Sequence, residues 1–270
     1  VSAADEEAAL LGLAPVAPDR TVPYGPHPDQ VVDLYGRWPG TGPLVVLLHG
    51  GFWRAAYDRR HLSPCAAELA RHGLPVALVE YRRVGAGGGA PQTFEDVPAA
   101  VEAAAAAGAG PADPPREVVL VGHSAGGHLA LLAATRPGTP VTRVVAVAPV
   151  ADLARAHALG LSDGAVAELL GTGPGFAGRL AAADPVRRPS AGVPVTLLHG
   201  TDDPDVPPDL SRRYAAAHPA TALHELPGTG HYAALTPGTG AFRTLLGLLR
   251  DGGPAPGEPP GTHPAAPRST

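Results

Sequence analysis

Apolar and polar positions along the chain fall into two rhythms. Short apolar runs rich in valine and leucine, too short for helices, read as strands at Val31–Tyr35, Leu44–Leu48, Val76–Tyr81, Val118–Val121, Arg143–Val150, Val195–His199 and Thr221–Leu226. A weaker strand is expected near Thr21–Tyr24. Between these runs lie helical patterns at Asp58–His72, Phe94–Ala107, His128–Ala134, Leu210–Ala217 and Ala241–Leu249. The first carries Leu62, Cys65, Ala66 and Leu69 on one side and stops at Gly73. Strands alternating with helices predict a layered α/β fold, its central sheet mostly parallel and flanked by helices. Residues 151–192 break the rhythm. Short helical pieces around Asp163–Leu170 and Arg179–Ala183 predict a cap-like insertion over the sheet's C-terminal edge. The organisation expected is a loosely held Ala/Pro-rich arm over 1–20, one domain over 21–251, and a disordered Pro/Gly-rich tail over 252–270.

Composition narrows the class. A chain of 270 residues can bury a full-sized core, and its net charge of −5 gives no reason to expect a nucleic-acid or membrane-surface partner. No apolar run approaches the roughly 20 residues of a membrane-spanning helix. The single cysteine, Cys65, cannot close an intramolecular disulfide and sits in a helical pattern as filler. Asp5-Glu6-Glu7 lacks the positive charge that opens a secretory signal, so a cytoplasmic location is expected.

The chemistry gathers around Gly122-His123-Ser124-Ala125-Gly126-Gly127, between an apolar strand and a strong helix pattern. Strand, sharp turn and helix form the context in which G-x-S-x-G is a nucleophile elbow. A serine hydroxyl needs a base, and the base needs an orienting acid. In such folds these follow the serine in the order acid, then histidine. His231, in Pro227-Gly228-Thr229-Gly230-His231-Tyr232, is the expected base. The acid lies among Asp202, Asp203 and Asp205. Asp203 is preferred because a residue before proline is biased toward extended backbone, while Asp205 could cap the helix beginning near Pro208. Oxyanion donors are expected from the amides of Ala125, Gly51 and Phe52. Phe52 and Trp53 either wall a substrate pocket or pack under the insertion. Arg54 could meet a substrate carboxylate, and Tyr232 or Trp53 could stack on an aromatic leaving group.

Two decoys are set aside. Gly85-Ala86-Gly87-Gly88-Gly89-Ala90 fits a relaxed dinucleotide fingerprint, but the next helix is expected only near Thr93, so no nicotinamide or flavin cofactor is expected. His49, His123 and His128 show no ligand spacing supported by cysteine or carboxylate, so no metal is expected.

Across roughly residues 21–250 the order and context of these motifs resemble the α/β-hydrolase fold. His49-Gly50-Gly51-Phe52-Trp53 resembles the HGGxW motif of kynurenine formamidases (arylformamidases), and Gly122–Leu129 is similar to their GHSAGxHL. Bacterial esterases related to hormone-sensitive lipase, and feruloyl esterases, share most of these letters. The resemblance implies Ser124, Asp203 and His231 as nucleophile, acid and base. The expected activity is cofactor-free hydrolysis of a small ester or activated amide through an acyl-enzyme, with N-formylkynurenine as one candidate substrate. A general short-acyl carboxylesterase, a peptidase-like amidase and a non-catalytic binding scaffold are the alternatives.

Overall fold

The computed structural model describes residues 3–38, 42–107 and 116–250. The tail expected over 252–270, with His263, lies outside them. Among the described residues the strands are β1 (Arg20–Pro23), β2 (Val31–Tyr35), β3 (Leu44–Leu48), β4 (Val76–Val79), β5 (Val118–His123), β6 (Arg143–Val147), β7 (Val195–Gly200) and β8 (Ala222–Leu226). They form one sheet in the order β1-β2-β4-β3-β5-β6-β7-β8. β2 pairs antiparallel with β1 and β4, and every other pairing is parallel. This is the α/β-hydrolase architecture.

The apolar runs are nearly continuous because both faces of the sheet are covered. Along β3, Leu44, Val46 and Leu48 enter one core while Val45 and Leu47 enter the other. The first core is closed by α3 (Gln92–Ala107), α4 (Ala125–Ala133) and α8 (Asp209–Ala217). The second is closed by α2 (Ser63–Arg71) and α9 (Gly240–Arg250). A further helix, α1 (Ala3–Leu11), adds Leu10 to the second core with no exposed surface. The N-terminal segment expected as a loosely held arm is therefore docked. Farther along it, the Val16 amide donates to Ser63 Oγ at 2.9 Å and the Tyr35 hydroxyl donates to Val16 O at 3.0 Å.

The strand expected over Val76–Tyr81 ends at Val79, and three further expected elements differ for local reasons. The helix expected over Asp58–His72 begins as a 3-10 turn, Arg59–Leu62, capped by Asp58, and α2 starts afresh at Ser63 with Pro64 in its first turn. The strand expected to Val150 ends at Val147 because Ala148 takes φ 45° and turns the chain. The insertion is built from α5 (Leu153–Ala158), α6 (Leu161–Leu170) and α7 (Phe176–Ala183), with α6 kinked where Ser162, Asp163 and Gly164 all have positive φ. Among the described residues no helix is long and apolar enough to cross a membrane.

Candidate active site

Parallel strands deliver four loops to one edge of the sheet. β5 ends at His123, and Ser124 follows at φ 55°, ψ −117°, a conformation costly for any residue with a Cβ. The turn holds because glycines let backbones touch. A Cβ on Gly122 would lie 2.2 Å from Gly126 O, and one on Gly126 would lie 2.4 Å from His49 O. Ser124 is the residue before α4, yet its side chain makes no capping bond to the helix. The amides of the first turn, Ala125 among them, have no intrahelical partner, and the helix dipole adds partial positive charge there. The serine is not open to solvent as an elbow tip would suggest; it is 2 % exposed. The loop after β3 lies against it, since a Cβ on Gly50 would sit 3.0 Å from Ser124 Cβ.

β7 and β8 bring the other partners. Among the three aspartates, Asp203 is the one that meets His231, with the ring Nδ1 2.6 Å from Asp203 Oδ2. Asp203 Oδ1 accepts from the amides of Asp205 and Val206, each at 2.9 Å. Burial alone would raise this carboxyl. Hydrogen bonds from His199 and His231 outweigh it and hold the group well below the usual carboxylate range. Asp202 accepts from Thr201 Oγ1 at 2.7 Å on the surface. Asp205 caps no helix: α8 follows Pro208 without a side-chain cap, and the Asp205 carboxylate instead stands near Tyr232, whose hydroxyl pKa it helps to raise.

Two histidines missed by motif reasoning brace this pair. His199 Nε2 lies 3.2 Å from Asp203 Oδ2 and 2.9 Å from Val206 O, while Nδ1 is 2.6 Å from Ser211 Oγ. Two acceptors at Nε2 place the proton there, leaving Nδ1 to accept from the serine hydroxyl. His123, the variable residue of the elbow, puts Nε2 3.0 Å from His231 O, its ring 4.6 Å from the His231 ring. Burial, then the neighbouring His231, depresses its pKa strongly. His123 is thus a neutral donor to the backbone of His231. Both are single histidines beside recognised motifs, and only the fold shows what they touch.

The loop after β3 also departs from expectation. Gly51 has φ 103°, and a Cβ there would lie 2.4 Å from Tyr57 Cβ. Phe52 and Trp53 follow at φ 48° and 59°, two left-handed non-glycine residues in succession, and the Val84 amide fixes the turn by donating to Trp53 O at 2.8 Å. Trp53 does not wall an open pocket. It is fully buried, its ring edge-on to His128 at 5.2 Å. Phe52 stays partly exposed above it. Nor is Arg54 free to meet a carboxylate. Its guanidinium grips Glu168 at 2.7 and 3.0 Å and Ser162 at 2.8 and 2.7 Å, joining this loop to α6. Tyr232 packs edge-on against His231 at 4.9 Å, and burial, with Asp205, pushes its hydroxyl pKa well up. Among the described residues no group of three or more His, Cys, Asp or Glu side chains is placed to hold a metal ion.

The geometry can be set beside known proteins. Three solved structures of similar shape are esterases or acyl hydrolases. Esterase B from Lactobacillus rhamnosis, inhibited by a tributyrin phosphonate, has a TM-score of 0.73 at 22 % identity, covering 92 % of this chain and 89 % of its own. A truncated carbohydrate esterase from gut microbiota gives 0.70 at 18 %, covering 88 % and 98 %. An acetyl ester-xyloside bifunctional hydrolase from Caldicellulosiruptor lactoaceticus gives 0.67 at 22 %, covering 86 % and 94 %. At these identities the likeness establishes the fold. No curated protein matches the sequence. The BD-FAE family model matches residues 33–217, a span that holds the β3 loop, the elbow and Asp203. The chain belongs to the BD-FAE family and is an enzyme, an esterase-like serine hydrolase.

Proposed function

We propose that the chain hydrolyses small short-acyl esters through an acyl-enzyme on Ser124, with His231 as general base and Asp203 as the orienting acid. One observation carries the reading: the 2.6 Å Asp203–His231 bond stands on the same sheet edge as the strained elbow of Ser124. Asp203 holds the Nδ1 proton of His231, which leaves Nε2 as the basic nitrogen. Nε2 takes the Ser124 proton as Oγ attacks the carbonyl. The amides of Ala125, Gly51 and Phe52 meet the oxyanion, and the imidazolium then returns its proton to the leaving group. Water repeats the sequence to free the acid.

The acyl side is narrow because the β3 loop lies against the serine, and Phe52 and Tyr232 offer aromatic surface to a leaving group. Acetyl and formyl groups suit that space, so N-formylkynurenine belongs in the same test. The experiment is kcat/KM for p-nitrophenyl acetate, butyrate and decanoate and for N-formylkynurenine, with Ser124→Ala as blank. We expect acetate to lead and decanoate to trail. Brisk turnover of the formamide assigns formamidase activity; its absence beside rapid acetate hydrolysis leaves a short-acyl esterase. Preference for decanoate overturns the narrow acyl side.

A further inference from the structure

We infer that Glu6, on the N-terminal helix, is a positioning residue for His231, holding the loop that carries it through the two backbone amides that flank it. Glu6 Oε1 accepts from the Gly230 amide at 2.9 Å and Oε2 accepts from the Ala233 amide at 3.2 Å. Glu6 is 7 % exposed, and a buried carboxylate needs such partners. The contact is specific in shape as well. A Cβ on Gly230 would fall 2.8 Å from Glu6 Oε2, so the glycine makes room for the carboxylate.

The loop needs holding. Pro227-Gly228-Thr229-Gly230 carries two glycines, the first at φ 65°, immediately before the histidine. His123 secures the carbonyl of His231 from one direction. Glu6 secures the amides on either side from another, and Leu10, one helical turn farther on, anchors α1 in the core. The Glu6 carboxylate bonds backbone amides of the His231 loop. Its effect passes through the backbone to the imidazole, where a misplacement of about 1 Å costs up to about 100-fold in rate.

The inference rests on His231 being the general base, and the test separates the two. Glu6→Ala, Glu6→Gln, the exposed-site control Glu7→Gln and His231→Ala are made in the full chain. Rates with p-nitrophenyl acetate are normalised to active sites titrated to completion with a fluorophosphonate. Glu6→Ala is expected to lower kcat about 10- to 100-fold with KM within about threefold. Glu6→Gln, whose amide oxygen still accepts from one of the two N–H groups, is expected to fall between it and the parent, with Glu7→Gln unchanged. A lower Tm in both Glu6 variants with kcat per titrated site within twofold of the parent overturns the positioning role. Should Glu6→Ala fail to fold, the same comparison on Glu6→Gln decides. Full turnover in His231→Ala instead overturns the general-base reading.

Discussion

His49 Nε2 lies 2.8 Å from Glu80 Oε1, with both side chains closed off from solvent. Glu80 also accepts from the Arg59 amide at 3.0 Å, and Arg83 Nε stands 3.2 Å from it. From the next residue, the Tyr81 hydroxyl donates to His49 O at 2.8 Å. The β3 loop that supplies Gly50 and Gly51 therefore starts from a buried ionic base. Burial alone would raise the Glu80 carboxyl, but His49, Arg83 and the Arg59 amide outweigh it and hold the pKa at about 2.

Acid should unfold this protein in two stages. Glu80 titrates near 4.5 when unfolded and about 2 when folded, so its contribution is complete above 4.5 and is lost as pH falls toward 2. His128 is depressed from 6.5 to about 4, chiefly by burial. Below 6.5 the unfolded chain takes up that proton first, so stability also declines from 6.5 toward 4. Each window spans on the order of 3 kcal/mol. Urea unfolding between pH 8 and 3 should show the decline beginning near 6.5, and His128→Gln should lessen the slope of its upper part, the buried and likewise depressed His61 and His123 carrying the rest. A stability curve level from pH 7 to 5 would contradict this.

Breaking the base should damage loop and fold together. Glu80→Gln leaves Arg59 and Arg83 facing a neutral amide, and removing one partner of a buried ionic group costs about 3–5 kcal/mol. Denaturant midpoints should fall accordingly. Turnover should fall too, because the loop proposed to supply oxyanion donors starts at His49. Wild-type stability in Glu80→Gln would show the cluster to be dispensable.

The three aspartates are separable by rate. Asp203→Asn should lower kcat by roughly 10⁴, the loss seen when the orienting acid of a triad becomes an amide. Asp202→Asn touches a surface hydroxyl and Asp205→Asn touches Tyr232, so both should stay within about tenfold of the parent. A larger loss at either would reassign the acid.

Much of this site was legible in the sequence, for identifiable reasons. The limits of β2 and β3 match the expected runs residue for residue: β3 is apolar and buried throughout, and the one polar residue of β2, Asp33, is buried against Thr21 and Arg59 and leaves the strand unbroken. The strained turn at Ser124 and the pairing of His231 with an aspartate were legible because glycine spacing at a strand-turn-helix and the order serine, acid, histidine constrain the sequence. Asp203 was only preferred among three, since the choice depends on which carboxylate faces a loop 28 residues on. Glu6 was not legible. Its partners are backbone amides more than 220 residues away, which leave no mark in side-chain pattern. Whether Trp53 walls a pocket or packs inward was left open, because the choice depends on two successive positive-φ residues, a backbone feature the letters do not show.

Glycines at the elbow and on the last helix should behave oppositely. Gly126→Ala places a Cβ 2.4 Å from His49 O and 2.5 Å from Leu48 O, both backbone atoms that no side-chain rotation can move. Little folded protein is expected. Gly247, inside α9, has nothing within 4 Å of the corresponding position. Gly247→Ala should stabilise the chain by about 0.5–1 kcal/mol through helix propensity. Thermal melts of the two variants check both signs.

The link between Arg54 and Glu168 gives the last prediction. The pair joins the loop carrying Phe52 and Trp53 to α6 of the insertion, but its side chains are 27 % and 45 % exposed. Solvent screens such a pair, so Glu168→Ala should cost less than about 1 kcal/mol in stability. The consequence for binding should be larger than that for stability. With Glu168 gone, Arg54 keeps its hydrogen bonds to Ser162 but loses its countercharge. A substrate bearing a carboxylate beside the leaving group should then bind better, whereas a neutral one should not. The measurement is KM for a carboxylate-bearing aryl acetate against p-nitrophenyl acetate, in parent and Glu168→Ala, at low and high salt. A selective drop in KM for the anionic ester, about threefold or more at low salt and fading as salt rises, is expected. Equal changes for both esters would mean that the link shapes the loop and plays no part in reading substrate charge.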